Sequence, residues 1–161
     1  MSPDDLHSVM ARDLRALARE VSAYPSDAHL WQEMPGITNT GGTLALHLAG
    51  NIRHFFGAVL GGSGWVRDRD REFNSRGIAR AEVVAEIALA LAEVDRVIPV
   101  LSAATLAAPF PIEVQGRRLR TARFVMHLCS HFAYHLGQID YHRRIVAPAS
   151  GTAGTMSLTE I

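Results

Sequence analysis

Apolar residues return every three or four positions along most of this chain, and that spacing commits it to helices. Leu6, Val9, Met10, Leu14, Leu17 and Val21 follow it from Pro3 to Tyr24, with Ser2 as N-cap, Pro3 at the first helical position and Pro25 as the stop. Ser26 to Glu33 forms a short helical turn carrying Leu30 and Trp31, and Pro35-Gly36 then breaks the chain. A second long helix is expected from a Thr43 cap to about Leu60, ending at Gly61-Gly62. Its apolar positions nearly encircle it, which marks it as the central helix. From Arg80 to Leu101 the chain is almost unbroken Ala, Leu, Val and Ile, a third helix with Pro99 near its end. Thr121 caps a last helix that runs to about Val146, before Pro148. The expected class is all-α, a four-helix bundle.

The connections are less regular. Ser63 to Gly77 alternates charge through Arg67-Asp68-Arg69-Asp70-Arg71-Glu72, which reads as a solvated loop pairing with itself. Apolar and polar residues alternate on both sides of Gln115-Gly116-Arg117, so a short two-stranded hairpin is expected just before the last helix. Residues from about 148 onward are Ala, Ser, Gly and Thr with a few apolar ones, a flexible tail. With 161 residues the whole chain is read as a single domain.

Composition removes several classes of function. Sixteen basic residues balance sixteen acidic ones, so no field concentrates nucleic acid, and none is expected as a partner. All the basic residues are Arg; without Lys there is no Schiff base, pyridoxal-phosphate lysine or Walker-type phosphate loop. Cys129 is the only cysteine, which excludes an internal disulfide and a zinc ribbon. Met1 to Leu6 carries two acids where a signal peptide needs bases, and no stretch is long enough to span a membrane. A cytoplasmic location without a membrane partner follows as the expectation.

Four of the eight histidines, at positions 127, 131, 135 and 142, fall in the last helix. At about 100° per residue they share an arc of roughly 80°. Side chains at i and i+4 are about 5 to 6 Å apart at Cβ, so His131 with His135, or His127 with His131, can chelate one ion. His47 adds weight from the second helix. It stands in an apolar run, Leu44-Ala45-Leu46-His47-Leu48-Ala49, where an unpartnered imidazole is costly to bury. In a bundle its natural partner is a residue on a facing helix. Imidazole ligands suit zinc, nickel, copper or iron and argue against magnesium or calcium. Cys129 lies about 160° around the last helix from His131, so it is expected to pack rather than react.

The stretch HLAGNIRHFFGAVLGGSGWVRDRDREF, together with HLCSHFAYHLGQIDYHRRI, resembles the DinB-like superfamily of metal-binding four-helix bundles. The resemblance covers roughly Leu6 to Val146. It implies a histidine triad of His47, His131 and His135, the last followed by Leu136-Gly137-Gln138-Ile139, holding a divalent transition metal, with zinc and nickel foremost. His127, His54 and His142 fall outside that triad, as pocket-wall or surface residues, with His54 placed to serve as a proton relay. Relatives include bacillithiol S-transferases and mycothiol-dependent maleylpyruvate isomerase, so the resemblance implies transfer of a low-molecular-weight thiol to a small-molecule electrophile. Arg53, Arg67 and Arg69 are then candidates to bind the thiol, and the resemblance also implies a homodimer; bundles often bury exposed aromatics in such contacts, which makes Trp31 and Trp65 candidate contact residues. Two alternatives stay open: hydrolysis by metal-bound hydroxide, with Asn51 or Tyr134 orienting the substrate, and a noncatalytic, stress-related bundle.

Overall fold

The computed structural model describes residues 2–151, 153 and 157–161. Four long helices carry the fold: α1 (Pro3–Ser22), α3 (Gly41–Ile52), α5 (Arg80–Val97) and α7 (Thr121–Val146). Short helices α2 (Asp27–Leu30), α4 (Arg69–Asn74) and α6 (Ala103–Ala107) lie in the connections. α1 and α3 each pack against both α5 and α7, so the bundle reads α1, α5, α3, α7 around its axis. The seam that matters for function is the one between α3 and α7.

Local chemistry explains most of the helix ends. Ser2 and Asp5 form a reciprocal capping box at the start of α1. α3 begins earlier than expected, because the Thr40 hydroxyl, not Thr43, accepts from the helix N–H of Thr43. That shift puts Gly41 and Gly42 in the first turn, against the Tyr24 and Trp31 rings, where a Cβ on Gly42 would meet Trp31 atoms at 2.7 Å. Thr121 likewise is not a cap: it is the first helical residue, and its hydroxyl donates to the Ala108 carbonyl at 3.1 Å. All twelve residues of α3 are buried, as a central helix requires.

α3 does not continue as an α-helix to Leu60. Arg53–Leu60 is π-helical, with a closing bond from Gly61 N–H to the Phe56 carbonyl at 2.9 Å. In this stretch Gly57 lies against the Glu93 side chain, where a Cβ would sit 2.8 Å from its Cδ, and Gly61 lies against Val97.

The expected hairpin reduces to a tight turn. Val114 and Arg117 exchange backbone hydrogen bonds of 2.9 and 3.0 Å around Gln115 and Gly116, both at positive φ, and one further bridge joins Pro109 to Arg120. Phe110 N–H still donates to the Leu119 carbonyl at 2.7 Å while its ring packs among Phe55 and Phe124, but the bridges stay isolated and the described residues contain no strand. Part of the expected tail, residues 152 and 154–156, lies outside the described residues. Around it Gly151 accepts a hydrogen bond from Arg143, and Glu160 pairs with Arg19 at 3.1 Å. No described helix is long and apolar enough to cross a membrane.

Candidate metal centre

His47 projects from the middle of α3 toward α7, where His131 and His135 stand one turn apart. One ring nitrogen from each of the three lies within 4.8 Å of the others. The rings meet edge to face, with centroids 5.2 Å apart for His47 and His131, 5.4 Å for His47 and His135, and 4.6 Å for His131 and His135. Packing of α3 on α7 therefore assembles what neither helix holds alone.

The outer nitrogens fix the tautomers. His47 Nδ1 is 3.0 Å from Glu72 Oε2, and His135 Nδ1 is 2.6 Å from Gln138 Oε1. Each oxygen is an acceptor, so each Nδ1 carries the hydrogen and each Nε2 keeps its lone pair. Arg67 Nη2 also lies 3.2 Å from His47 Nδ1, but it donates to Glu72 Oε2 at the shorter distance of 2.7 Å. With Nδ1–H directed at Glu72, the guanidinium is a bystander to the ring and a partner to the carboxylate. His47 Nε2 and His131 Nε2 then face each other at 3.4 Å. Converging lone pairs of this kind repel unless a proton or a cation lies among them.

Electrostatics keeps the cluster ready for a cation. Burial pushes the His131 pKa down to about 4, helped by the nearby His135, His47, His127 and Arg67, and burial likewise lowers His135. Both are neutral near pH 7, the form in which imidazole binds a metal. For Glu72, burial acts to raise the pKa, but hydrogen bonds from His47 and Arg67 together outweigh it and hold the carboxylate ionised.

Glu72 corrects the reading of the charged loop as solvated. The segment folds into α4, whose Asp68 side chain caps it, and α4 packs on α3 so that Glu72 is buried while Arg67 grips it through two bonds of 2.7 Å. Gly50 provides the room: a Cβ there would fall on Glu72 Oε1 and lie 2.9 Å from its Cδ. A glycine in mid-helix is unfavourable by itself, so this one, three residues after His47, was the signal for a close approach.

A cavity of about 430 Å³ opens beside the cluster, with His47, His131 and His127 on its wall. Asn51, one turn beyond His47, lines it with only 7% of its surface exposed, and its buried Oδ1 has no hydrogen-bond partner. Arg67 and Arg69 also line the cavity, Arg69 with its guanidinium 5.1 Å from the Phe73 ring centre and no carboxylate partner among the described residues. Val114 and Gln115, from the tight turn, line it as well.

Other residues singled out from the sequence lie elsewhere. Arg53 pairs with Glu86 and stacks 4.4 Å from the Trp65 ring centre, off the cavity wall. His54 is also off that wall, half-buried, with Nδ1 unpartnered and its pKa lowered by burial and then by Arg67. Tyr134 stands 65% exposed beside His135, on a different cavity. His142 is a core residue, bound by the Tyr24 hydroxyl at 2.8 Å and the Gln32 carbonyl at 2.9 Å. Trp31 is buried, donating to the Ile78 carbonyl at 2.8 Å, which removes it as a contact residue for another chain. Cys129 packs 3.4 Å from Met10 Sδ, and burial pushes its thiol up to about 11.

Compared with known families, residues 5–148 match the mycothiol-S-transferase family. The chain belongs to that family. This agrees with the DinB-like resemblance, since the mycothiol-S-transferases are DinB-like bundles. No curated protein matches the chain. As a mycothiol-S-transferase family member it places its histidine cluster and both cavity-lining arginines inside the matched span.

Proposed function

We propose that this protein is a metal-dependent S-transferase, joining a low-molecular-weight thiol of the mycothiol type to an electrophilic small molecule. The observation that carries the reading is the convergence of one ring nitrogen from each of His47, His131 and His135 within 4.8 Å, two of the rings oriented by Glu72 and Gln138, beside a polar cavity. His47, His131 and His135 would hold a divalent transition metal, zinc or nickel in the first instance. Such an ion supplies Lewis acidity that makes a thiol a thiolate at neutral pH.

The chain's own groups do the rest. Arg67 and Arg69 donate to oxygen atoms of the thiol cosubstrate, and Asn51 Oδ1 accepts from its hydroxyl or amide N–H. The His54 ring centre lies 4.8 Å from that of Phe55, which lines the cavity, while Arg53 pairs with Glu86 away from it. In the reaction the thiol loses its proton and a sulfur–carbon bond forms. The electrophile either expels a leaving group with the bonding pair or takes the proton on the neighbouring carbon. We place the reaction in the cytoplasm, in a homodimer.

Incubation with mycothiol and monochlorobimane, an uncharged electrophile, tests this. A thioether product identified by mass spectrometry, dependent on the protein and abolished by a chelator, is the expected result. Metal-dependent ester cleavage without thiol, and no thioether, would replace the proposal with a hydrolase; neither activity would leave a noncatalytic bundle.

A further inference from the structure

The histidine cluster has a second face. α3 and its π-helical continuation pass α7 with Leu44 opposite the end of α7 and Phe55 opposite its beginning, and the three histidines occupy the middle of this seam. The polar cavity lies toward Phe55. On the other side a separate cavity of about 480 Å³ is walled by Ile37, Leu44, Tyr134, Tyr141 and Ile145, together with the polar side chains of Thr38, Asn39, Gln138, His135 and His142. His47 and His131 face the first cavity and His135 faces the second, although the rings of His131 and His135 are only 4.6 Å apart. Both volumes suit a small molecule.

Their linings differ in kind. The first contains two guanidinium groups and the unpartnered Asn51 Oδ1. The second contains no Asp, Glu or Arg, and its walls expose Tyr134, Tyr141, Ile145 and Ile37 to solvent. Exposed apolar residues gathered beside a reactive centre mark a ligand surface rather than a solvated face.

We infer that the two cavities divide the two substrates, the oxygen-rich thiol entering the arginine side and an uncharged, apolar or aromatic electrophile entering the tyrosine side. This rests on the S-transferase reading and adds to it the identity of the second subsite. The sulfur reaches the cluster from one end of the seam and the electrophilic carbon from the other. Thiol plus chlorinated electrophile gives thioether, chloride and a proton. A charged electrophile gains nothing in a wall without ionic partners.

The test uses the full chain and two probes: monochlorobimane with mycothiol for turnover, and the unreactive dimethyl analogue for binding, followed by fluorescence anisotropy. Ile145→Glu places a carboxylate in the tyrosine cavity and is expected to weaken dimethylbimane binding about tenfold and to raise the KM for monochlorobimane similarly, leaving the KM for mycothiol within about twofold. Arg69→Ala is expected to do the reverse, raising the mycothiol KM about fivefold with bimane binding unchanged. Tyr141→Ala, at a position 69% exposed, serves if Ile145→Glu misfolds. Bimane binding indifferent to both tyrosine-side variants, or a mycothiol KM raised by them instead, overturns the inference. Selective binding without turnover rejects the transferase reading and keeps the subsite; turnover with an unmoved bimane KM does the opposite.

Discussion

Glu72 is the residue whose role is most sharply defined by its contacts. It takes the Nδ1–H of His47 and both arms of Arg67, so replacing it by Gln keeps the shape but removes the charge that fixes the imidazole. Glu72→Gln is expected to lower zinc affinity about 10- to 100-fold with the fold intact, measured by competition with a chromogenic chelator. Equal affinity in parent and variant would show that His47 needs no such partner. His131 gives a pH signature in the metal-free protein. Its pKa is about 4 in the folded chain and about 6.5 when unfolded, so between those values the unfolded chain binds a proton that the folded chain refuses. Stability therefore falls as pH is lowered from 6.5 to 4, and above 6.5 this residue has no effect. His131→Gln should flatten that part of the melting-temperature profile; an unchanged slope would mean other groups cause it. His47, His131 and His135 were legible because each sat in a pattern that a sequence displays, an apolar run or an i, i+4 pair. Glu72 was not, since its neighbours in sequence are charges and its burial is decided by how α4 docks.

At the level of elements, the α4–α3 contact depends on Gly50. Gly50→Ala favours the helix by about 1 kcal/mol on propensity, yet the added methyl collides with Glu72. The expected outcome is unchanged helical content with zinc affinity reduced to the level of Glu72→Gln; parent-like affinity would show that α4 can shift without consequence. The end of α7 is tied to α1 by Arg143, fully buried and bonded to Glu20 at 2.6 Å and Asp140 at 3.2 Å. Arg143→Met strands the Glu20 carboxylate in the core and should cost about 3 to 5 kcal/mol in chemical denaturation. A loss below about 1 kcal/mol would show that Glu20 finds another partner or solvent. The periodicity of the sequence located all four long helices, but it missed the Thr40 cap and the π-helical segment. Both are set by contacts across the bundle, Gly41 and Gly42 against Tyr24 and Trp31, and Gly57 against Glu93. The hairpin expectation was met only in part: the two sides pair at Pro109–Arg120 and Val114–Arg117, but as separate bridges, with Phe110 buried in the core and Val114 and Gln115 on the cavity wall.

For the whole molecule, the bundle is a scaffold that brings two helices distant in sequence to one seam and leaves a cavity at each side of the meeting point. Its reaction class rests on the mycothiol-S-transferase family and its chemistry on the cluster, so the cluster is the claim to test. Protein purified without an affinity tag should contain near-stoichiometric divalent metal by elemental analysis, or take it up after dialysis against zinc or nickel. His47→Ala and His131→Ala, each still helical, should lose it. A folded parent that holds neither zinc nor nickel, or variants that hold as much as the parent, would contradict the interhelical metal site.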